Sequence, residues 1–171
     1  RMRTEGKSSI VVLGMHRSGT IAITRGLMVL GIELGDHLMP PAPNNETGWF
    51  EDIDVNAINA ELYKSLGHGQ DWHTLAFVPR DELLHKKNAS LRLRAIELLR
   101  SRLRNIDCFG LKDPRICRIL PFWQNVFEHL QLKVSYIIVV RNPLSVAMSL
   151  RKKHNFPPEK CHYLWLEHIL P

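Results

Sequence analysis

The 171-residue sequence predicts an α/β protein whose parallel β-sheet is flanked by helices on both faces, a three-layer α/β/α arrangement. Three short apolar runs, at residues 10–13, 108–111 and 134–140, predict the strands, and helical sequence follows each of them. Strands that alternate with helices pair in parallel. The run at 134–140 is apolar throughout, which is typical of a parallel strand buried on both faces.

A glycine-bounded loop joins the first predicted strand to the first helix. Its backbone N–H groups and the helix N-terminus are expected to point at one anion. The spacing from Gly14 to Gly19 is that of a P-loop, but Thr20 follows where nucleoside triphosphatases have Lys. The cation, Arg17, lies inside the loop instead. We expect a phosphate cradle without the triphosphatase machinery, and an ordinary turn with glycines for close packing is the alternative.

Helical periodicity assigns a buried face to each of the first two helices. The first is expected to end at Gly31, and a Pro- and Asn-rich loop covers 38–48. A second helix follows over about 54–66. Residues 67–87, which include His68, Trp72 and His73, are expected to be irregular, as in a lid or substrate loop. The inward residues predicted in the two helices are Ile23, Leu27, Leu30, Val55, Ile58 and Leu62.

The remaining helices have recognisable starts. Asn88 is expected to cap a helix to about residue 105, whose five arginines spread around the axis and form no nucleic-acid-binding stripe. Pro121 is expected to open the next helix, Asn142 and Pro143 the one after it, and Pro158 the last. The inward residues predicted in the last three helices are Trp123, Phe127, Leu130, Leu144, Ala147, Met148, Cys161, Leu164, Trp165 and His168.

The composition and length of the chain limit the kinds of ligand, cellular location and domain organisation that are expected. The net charge of +6 suits an anionic ligand. Cys108, Cys117 and Cys161 are scattered, which predicts reduced thiols and a cytoplasmic location, and no metal site is predicted among the nine histidines. No apolar run is long enough to span a membrane. The length predicts one domain over residues 1–171, and the apolar last helix predicts that its C-terminal part is missing.

Cations follow all three predicted strands: Arg17, Lys112 and Arg141. The carboxyl ends of parallel strands share one edge of the sheet, where such sheets bind ligands. Arg141 and Ser149 lie eight residues apart across a strand-to-helix junction, where they are expected to grip one phosphate. A second phosphate in the loop would suit a nucleotide phosphorylated at two places. A strand that ends in Arg, without an acid for magnesium, indicates an anion site without a metal.

In this order, GMHRSGT, LKDPR and VVRNPLSVAMS resemble the sulfotransferases that use 3′-phosphoadenosine-5′-phosphosulfate. The likeness is greatest to bacterial members with GxFED and KDPR-LPFW patterns, and it extends from about Val11 to the end. The resemblance implies in-line transfer of a sulfuryl group to a hydroxyl or amine of a sugar, peptide or small molecule, with 3′-phosphoadenosine-5′-phosphate as product. The nucleotide and this acceptor are the partners expected, and nucleic acid is not.

The resemblance also assigns roles to residues. The loop residues would bind the 5′-phosphosulfate, the pair Arg141 and Ser149 the 3′-phosphate, while Arg17 and Lys112 would stabilise charge on the leaving phosphate. Glu51 in GWFED is the first choice of base, ahead of Glu46 and His16; a surface or helix-capping role for Glu51 stays open. The candidate cofactor-binding residues are His16, Arg17, Ser18, Gly19, Thr20, Ile21, Arg141 and Ser149, and the candidate catalytic residues are Lys112, Glu51, Arg17 and His16.

Two departures from the family pattern keep other functions open. Ile21 stands where many relatives have Ser or Thr, so that one hydroxyl contact with the phosphate is lost. Relatives also continue beyond Pro171 with a segment that closes over the 3′-phosphate and adenine. A P-loop kinase or NTPase, and a non-catalytic member of the sulfotransferase fold that binds a nucleotide or a partner, are therefore the alternatives.

Overall fold

Three parallel strands form the sheet of the computed structural model, which describes residues 6–43, 45–67 and 72–170. They are β1 (Ser8–Leu13), β2 (Cys108–Lys112) and β3 (Lys133–Ile138), in the order β2–β1–β3. Ser8 at the start of β1 pairs with the first residue of each neighbour. The expected α/β class, with a parallel sheet flanked by helices, is confirmed.

The helices lie between and after the strands. They are α1 (Thr20–Val29), α2 (Ile53–Ser65), α3 (Arg80–Leu84), a 3₁₀ helix (Lys86–Asn88), α4 (Ala89–Arg102), α5 (Ile116–His129), α6 (Pro143–His154) and α7 (Pro158–Ile169). Within the described residues, no helix combines the length and the apolar character needed to cross a bilayer.

Two apolar clusters hold these elements together. In the larger one, Val11 and Leu13 of β1 and Phe109 and Leu111 of β2 pack with α2, α4 and α5. On the opposite side of β2, a Cβ at Gly110 would lie 2.5 Å from Leu34 Cδ2, so the segment after α1 packs directly on the strand. The smaller cluster joins one residue of the loop after β1 to α6 and α7: Met15, Val146, Ala147, Leu150, Cys161 and Leu164.

The buried face of α1 differs from the prediction. Leu27 is buried as expected, but Ile23 is 40% exposed and Leu30 is 79% exposed. The buried stripe instead runs through Thr20 and Thr24. The Thr24 hydroxyl donates to the Thr20 carbonyl oxygen at 2.7 Å, which satisfies it within the helix and permits burial. A search for apolar residues does not find this stripe, because two of its three residues are threonines.

The buried face of α6 is also rotated from the predicted one. Ala147 is buried, but Leu144 and Met148 are largely exposed, and Val146 and Leu150 take the inward positions. The helix turns this face toward Met15 and α7, where it packs with Cys161 and Leu164, which are buried as predicted. His168 is also buried as predicted, and Trp165 is partly buried. The N-cap is as expected, since the Asn142 side chain accepts hydrogen bonds from two backbone N–H groups of the first turn.

The prediction that β3 is buried on both faces is wrong. β1 takes the centre of the sheet, and β3 pairs with β1 alone among the described residues. Tyr136 is 39% exposed and Ile138 is 69% exposed. An apolar run predicts a strand but not its position in the sheet. An edge strand that is apolar throughout is therefore predicted to be a central, buried strand.

Two further boundaries differ from the expected ones. Helix α5 begins at Ile116, five residues before Pro121, because a break at Ile119 (φ −118°, ψ 22°) accommodates the proline inside the helix. Trp123, Phe127 and Leu130 are buried as predicted. The segment predicted to be irregular contains α3 and the 3₁₀ helix, while His68 lies outside the described residues.

Buried polar contacts fix that segment. The Arg118 guanidinium of α5 donates to the carbonyl oxygens of Thr74 (2.7 Å) and Ala76 (2.6 Å). The Asn88 side chain does not cap α4 but donates to the Glu82 carbonyl oxygen at 2.9 Å. These bonds, of which those from Arg118 join residues more than 40 positions apart, give the segment a defined path that its composition did not predict.

Candidate functional site

The loop between β1 and α1, residues 14–19, is called the glycine loop below. Its first residue donates a backbone N–H to Cys117 Sγ at 3.0 Å, which anchors the loop to α5. Arg17 (φ 69°) and Gly19 (φ 97°) both adopt the left-handed conformation. This conformation is uncommon for a residue such as Arg and concentrates at functional sites.

The N-terminus of α1 carries donors without protein partners. Gly19 occupies the N-cap and provides no side chain to cap the helix. Within the described residues, the backbone N–H groups of Gly19, Thr20 and Ile21 donate to no acceptor. The Ser18 hydroxyl is buried and likewise has no partner there. A buried polar group normally has a partner, and this set of donors at a helix N-terminus fits the oxygens of an anion.

The path of the glycine loop requires Gly14. A Cβ at this position would lie 2.7 Å from the Val139 carbonyl oxygen and 2.8 Å from Thr20 Cγ2. We therefore expect Gly14→Ala to lower the free energy of unfolding by about 1–3 kcal/mol, measured by urea denaturation. Gly26→Ala in α1 is the control, because its Cβ would meet no atom within 4 Å and should stabilise the helix by about 0.5–1 kcal/mol. Equal effects of the two substitutions would contradict this packing.

At Arg17 the glycine loop contacts the middle of α6 and the segment that precedes this helix. Arg17 Nε donates to Ser149 Oγ at 2.9 Å, and Arg141 Nη1 donates to the Arg17 carbonyl oxygen at 3.0 Å. The backbone of Arg141 is held in turn, because Trp165 Nε1 donates to its carbonyl oxygen at 3.0 Å. These contacts bring Arg17, Arg141 and Ser149 together, while Lys112, the other cation predicted at this edge of the sheet, lies at the end of β2. Both arginines are exposed, and neither has a carboxylate partner among the described residues.

A cavity of about 380 Å³ opens beside this junction. Five predicted site residues line it: His16, Arg17, Ile21, Glu51 and Lys112. Arg141 and Ser149 do not line it but contact Arg17 from outside, and Glu46 is exposed and absent from its wall. The lining residues that were not individually predicted as site residues, although Trp72 lies in the predicted lid or substrate loop, are Met39, Asn45, Trp49, Asn56, Trp72, Pro114, Arg115, Lys153 and His154. Two of them, Pro114 and Arg115, belong to the KDPR motif.

A buried ion pair forms the floor of the site. Lys112 Nζ, at the end of β2, lies 2.6 Å from Glu51 Oε1 and 3.1 Å from the Trp49 carbonyl oxygen. The Asn56 amide donates to Glu51 Oε2 at 3.1 Å. The two charged side chains are 2% and 9% exposed. Burial and the nearby Asp113 raise the pKa of Glu51, and Lys112 opposes that rise.

A second buried ion pair supports the first. Asp113 Oδ2 accepts from Arg115 at 2.6 Å and from the Asn59 amide at 2.9 Å, and Trp123 Nε1 donates to Asn59 Oδ1 at 2.8 Å. Burial alone would raise the pKa of Asp113, but Arg115 and these hydrogen bonds hold it below the usual value. The network connects β2, α2 and α5, so Lys112 projects from a rigid base.

The rim of the cavity carries aromatic rings and a further cation. His16 stacks on Trp72 with ring centroids 3.9 Å apart. The His154 ring meets Trp72 edge-on, at 5.5 Å. Burial and then the charge of Arg17 lower the pKa of Lys153, which places this ammonium in the field of Arg17. Positive charge therefore accumulates between the glycine loop and the end of α6.

No protein-family model, curated protein or solved structure matches this chain. The chemistry of the cavity and of the glycine loop is what points to a function. The glycine loop offers donors for an anion. Three basic side chains, Arg17, Arg141 and Lys153, have no carboxylate partner in the described part of the chain, and the buried Glu51 carboxylate contacts the Lys112 ammonium.

Proposed function

We propose that this chain is a sulfotransferase, which moves a sulfuryl group from 3′-phosphoadenosine-5′-phosphosulfate to a hydroxyl or amine. The observation that carries the proposal is that one cavity is lined by both Arg17 of the glycine loop and the buried pair of Lys112 and Glu51. A cation suited to an anionic group and a carboxylate suited to accept a proton therefore line the same cavity, next to the unpaired donors of the glycine loop. The resemblance of the ordered motifs supports the same reaction.

The residues present fit a nucleotide with two separate phosphate groups. The unpaired N–H groups of Gly19 and Thr20 and the buried Ser18 hydroxyl would take the 5′-phosphosulfate. Arg141 and Ser149, on the outer side of Arg17, would take the 3′-phosphate. The bond between Arg17 and Ser149 would then be exchanged for bonds to the ligand. Because cations rather than carboxylates surround these donors, both anionic groups would be matched by charge.

The bound nucleotide supplies an activated sulfuryl group, whose bond to the phosphate oxygen breaks as a bond to the acceptor oxygen or nitrogen forms. Glu51 takes the proton of the acceptor, and its raised pKa favours that role. Proton uptake neutralises Glu51 and releases Lys112 from the ion pair. The freed ammonium and Arg17 then stabilise the negative charge on the leaving phosphate oxygen.

The kinase alternative is weaker on structural grounds. A P-loop kinase needs a Lys after the second glycine and an acidic side chain that holds magnesium. Thr20 occupies the first position. Asp113, the acid at the end of a strand that neighbours β1, is 1% exposed, and both of its oxygens already accept hydrogen bonds. A non-catalytic nucleotide-binding protein is the outcome if the nucleotide binds and no transfer follows.

Calorimetric titration with 3′-phosphoadenosine-5′-phosphate tests the proposal. We expect Arg17→Ala and Arg141→Ala each to weaken binding about 10- to 100-fold, because each removes a charge-assisted contact of about 1.5–3 kcal/mol. Arg94→Ala is the matched control, since this exposed Arg pairs with Glu61 and neither residue lines the cavity. Magnesium-dependent binding of ATP in place of the bisphosphate would overturn the proposal.

A further inference from the structure

Arg115 of the KDPR motif has two N–H groups that bond to no acceptor in the described part of the chain. The residue is 7% exposed and lines the cavity. Its Nε lies 3.1 Å from Asp113 Oδ1, and its Nη2 donates to Asp113 Oδ2 at 2.6 Å and to the Asn56 carbonyl oxygen at 3.2 Å. A guanidinium has five N–H donors, of which Nε carries one and each Nη carries two. These contacts therefore use every donor of Nε and Nη2 and neither donor of Nη1.

The unused nitrogen faces the cavity. Nη1 is not among the fully buried side-chain atoms that lack a partner within the described ranges, so it retains contact with solvent. The other two nitrogens of the guanidinium are bonded to Asp113 and Asn56. Because the side chain is otherwise enclosed by protein and the residue lines the cavity, this volume is where Nη1 is open.

The contact with Asp113 fixes the direction of these donors. Asp113 is 1% exposed and also accepts from the Asn59 amide at 2.9 Å. Two bonds from one edge of a planar guanidinium to the same carboxylate hold the group in a single orientation. The N–H groups of Nη1 are therefore oriented before a ligand arrives, which is the property of donors that stabilise charge during a reaction.

Arg115 also lies between the two parts of the site. Asn56, whose carbonyl oxygen accepts from Arg115, is the residue whose side-chain amide donates to Glu51 Oε2 at 3.1 Å. On the other side, burial lowers the pKa of His16 in the glycine loop, and the charge of Arg115 lowers it further. A group that moves from a phosphate on the glycine loop to an acceptor beside Glu51 would cross the space next to Arg115.

We propose that Arg115 is a further catalytic residue, whose Nη1 donates hydrogen bonds to the oxygens of the transferred sulfuryl group; this role rests on the proposed function. In the transfer, the bond from sulfur to the leaving phosphate oxygen breaks, and its electron pair stays on that oxygen. The bond from sulfur to the acceptor forms, and Glu51 takes the acceptor's proton. Arg115 keeps its own protons. It contacts oxygens that stay on sulfur, whereas Arg17 and Lys112 stabilise the leaving oxygen.

Calorimetric titration of Arg115→Lys with 3′-phosphoadenosine-5′-phosphosulfate and with 3′-phosphoadenosine-5′-phosphate tests the inference, since only the first nucleotide carries the sulfuryl group. The substitution retains a cation for Asp113, but one ammonium held at that carboxylate cannot replace Nη1. We expect affinity for the sulfated nucleotide to fall about 10- to 100-fold and affinity for the bisphosphate to stay unchanged. Single-turnover transfer should fall about 10²- to 10³-fold. Arg104→Lys is the control, because Arg104 is exposed and does not line the cavity.

A measurement on the wild-type protein covers the case in which the substitution disturbs the buried pair. In ¹⁵N spectra of the arginine side chains, the Nη1 resonance of Arg115 should shift with the sulfated nucleotide and with inorganic sulfate, and little with the bisphosphate. The inference is overturned if neither sulfate-bearing probe shifts Nη1, or if a folded Arg115→Lys changes the affinity for both nucleotides equally. Failure of the proposed function would appear separately, as absent binding of both nucleotides to the wild-type protein, and inorganic sulfate would still test Nη1.

Discussion

Replacing Lys112 by Met is expected to lower the free energy of unfolding by about 3–5 kcal/mol, because it leaves a buried carboxylate without its counter-ion. Glu51 is 7% exposed, and its Oε1 lies 2.6 Å from the ammonium that the substitution removes. The remaining hydrogen bond, from Asn56, is neutral and 3.1 Å long. It cannot replace a full charge.

Urea denaturation of Lys112→Met, Glu51→Leu and the double variant forms a cycle that isolates the pair. The double variant should recover most of the loss, since it buries no uncompensated charge. If Lys112→Met cost less than about 1 kcal/mol, the pair would be solvated rather than buried.

The loss should also depend on pH. The folded-state pKa of Glu51 is already raised by burial, and removing Lys112 raises it further. A raised carboxyl pKa favours the folded state at low pH, and that contribution disappears as the pH rises through the folded pKa. The deficit of Lys112→Met is therefore expected to be largest at alkaline pH, where the carboxyl is ionised, and to shrink as the pH falls through the raised folded-state pKa of Glu51. A deficit independent of pH would place the cause in lost packing instead.

Glu51→Gln is expected to lower the rate of sulfuryl transfer by about 10²- to 10⁴-fold, the usual contribution of a general base. Like Lys112→Met, this substitution leaves a buried charge without its counter-ion, so the free energy of unfolding should fall as well. The Gln oxygen and the Trp49 carbonyl oxygen still accept from Lys112 Nζ, and urea denaturation identifies the conditions in which the variant stays folded. Affinity for 3′-phosphoadenosine-5′-phosphate should be little changed, since Glu51 contributes no donor to an anion. Single-turnover transfer and calorimetry on the same samples separate the two effects.

Glu46→Gln is the matched control, because Glu46 is exposed and does not line the cavity. The acid limb of the wild-type rate profile should lie above the range of an ordinary carboxyl, in the direction of the raised pKa of Glu51, and should vanish in Glu51→Gln. Equal rates for wild type and Glu51→Gln would remove Glu51 from the reaction and return attention to His16.

The sequence by itself determined the elements whose signals are local. Apolar runs predicted the three strands, spacing predicted that Val55, Ile58 and Leu62 of α2 are buried, and Asn142 with Pro143 predicted the start of α6. Such signals depend on neighbours two to four residues apart. The glycine spacing likewise predicted a loop into a helix N-terminus, and the cations that follow the strands predicted the edge of the sheet on which the candidate site was sought.

Only the tertiary structure decided how distant side chains combine. Arg17 and Ser149 are 132 residues apart in the chain, and Lys112 and Glu51 are 61 apart, yet each pair forms a direct hydrogen bond. The same strand order that places these pairs leaves β3 at the edge and Ile138 exposed. Trp72 and His168 reach His16 from a connecting segment and from α7. Local periodicity cannot predict such contacts. They depend on which strand takes the centre of the sheet and on which face each helix turns toward it.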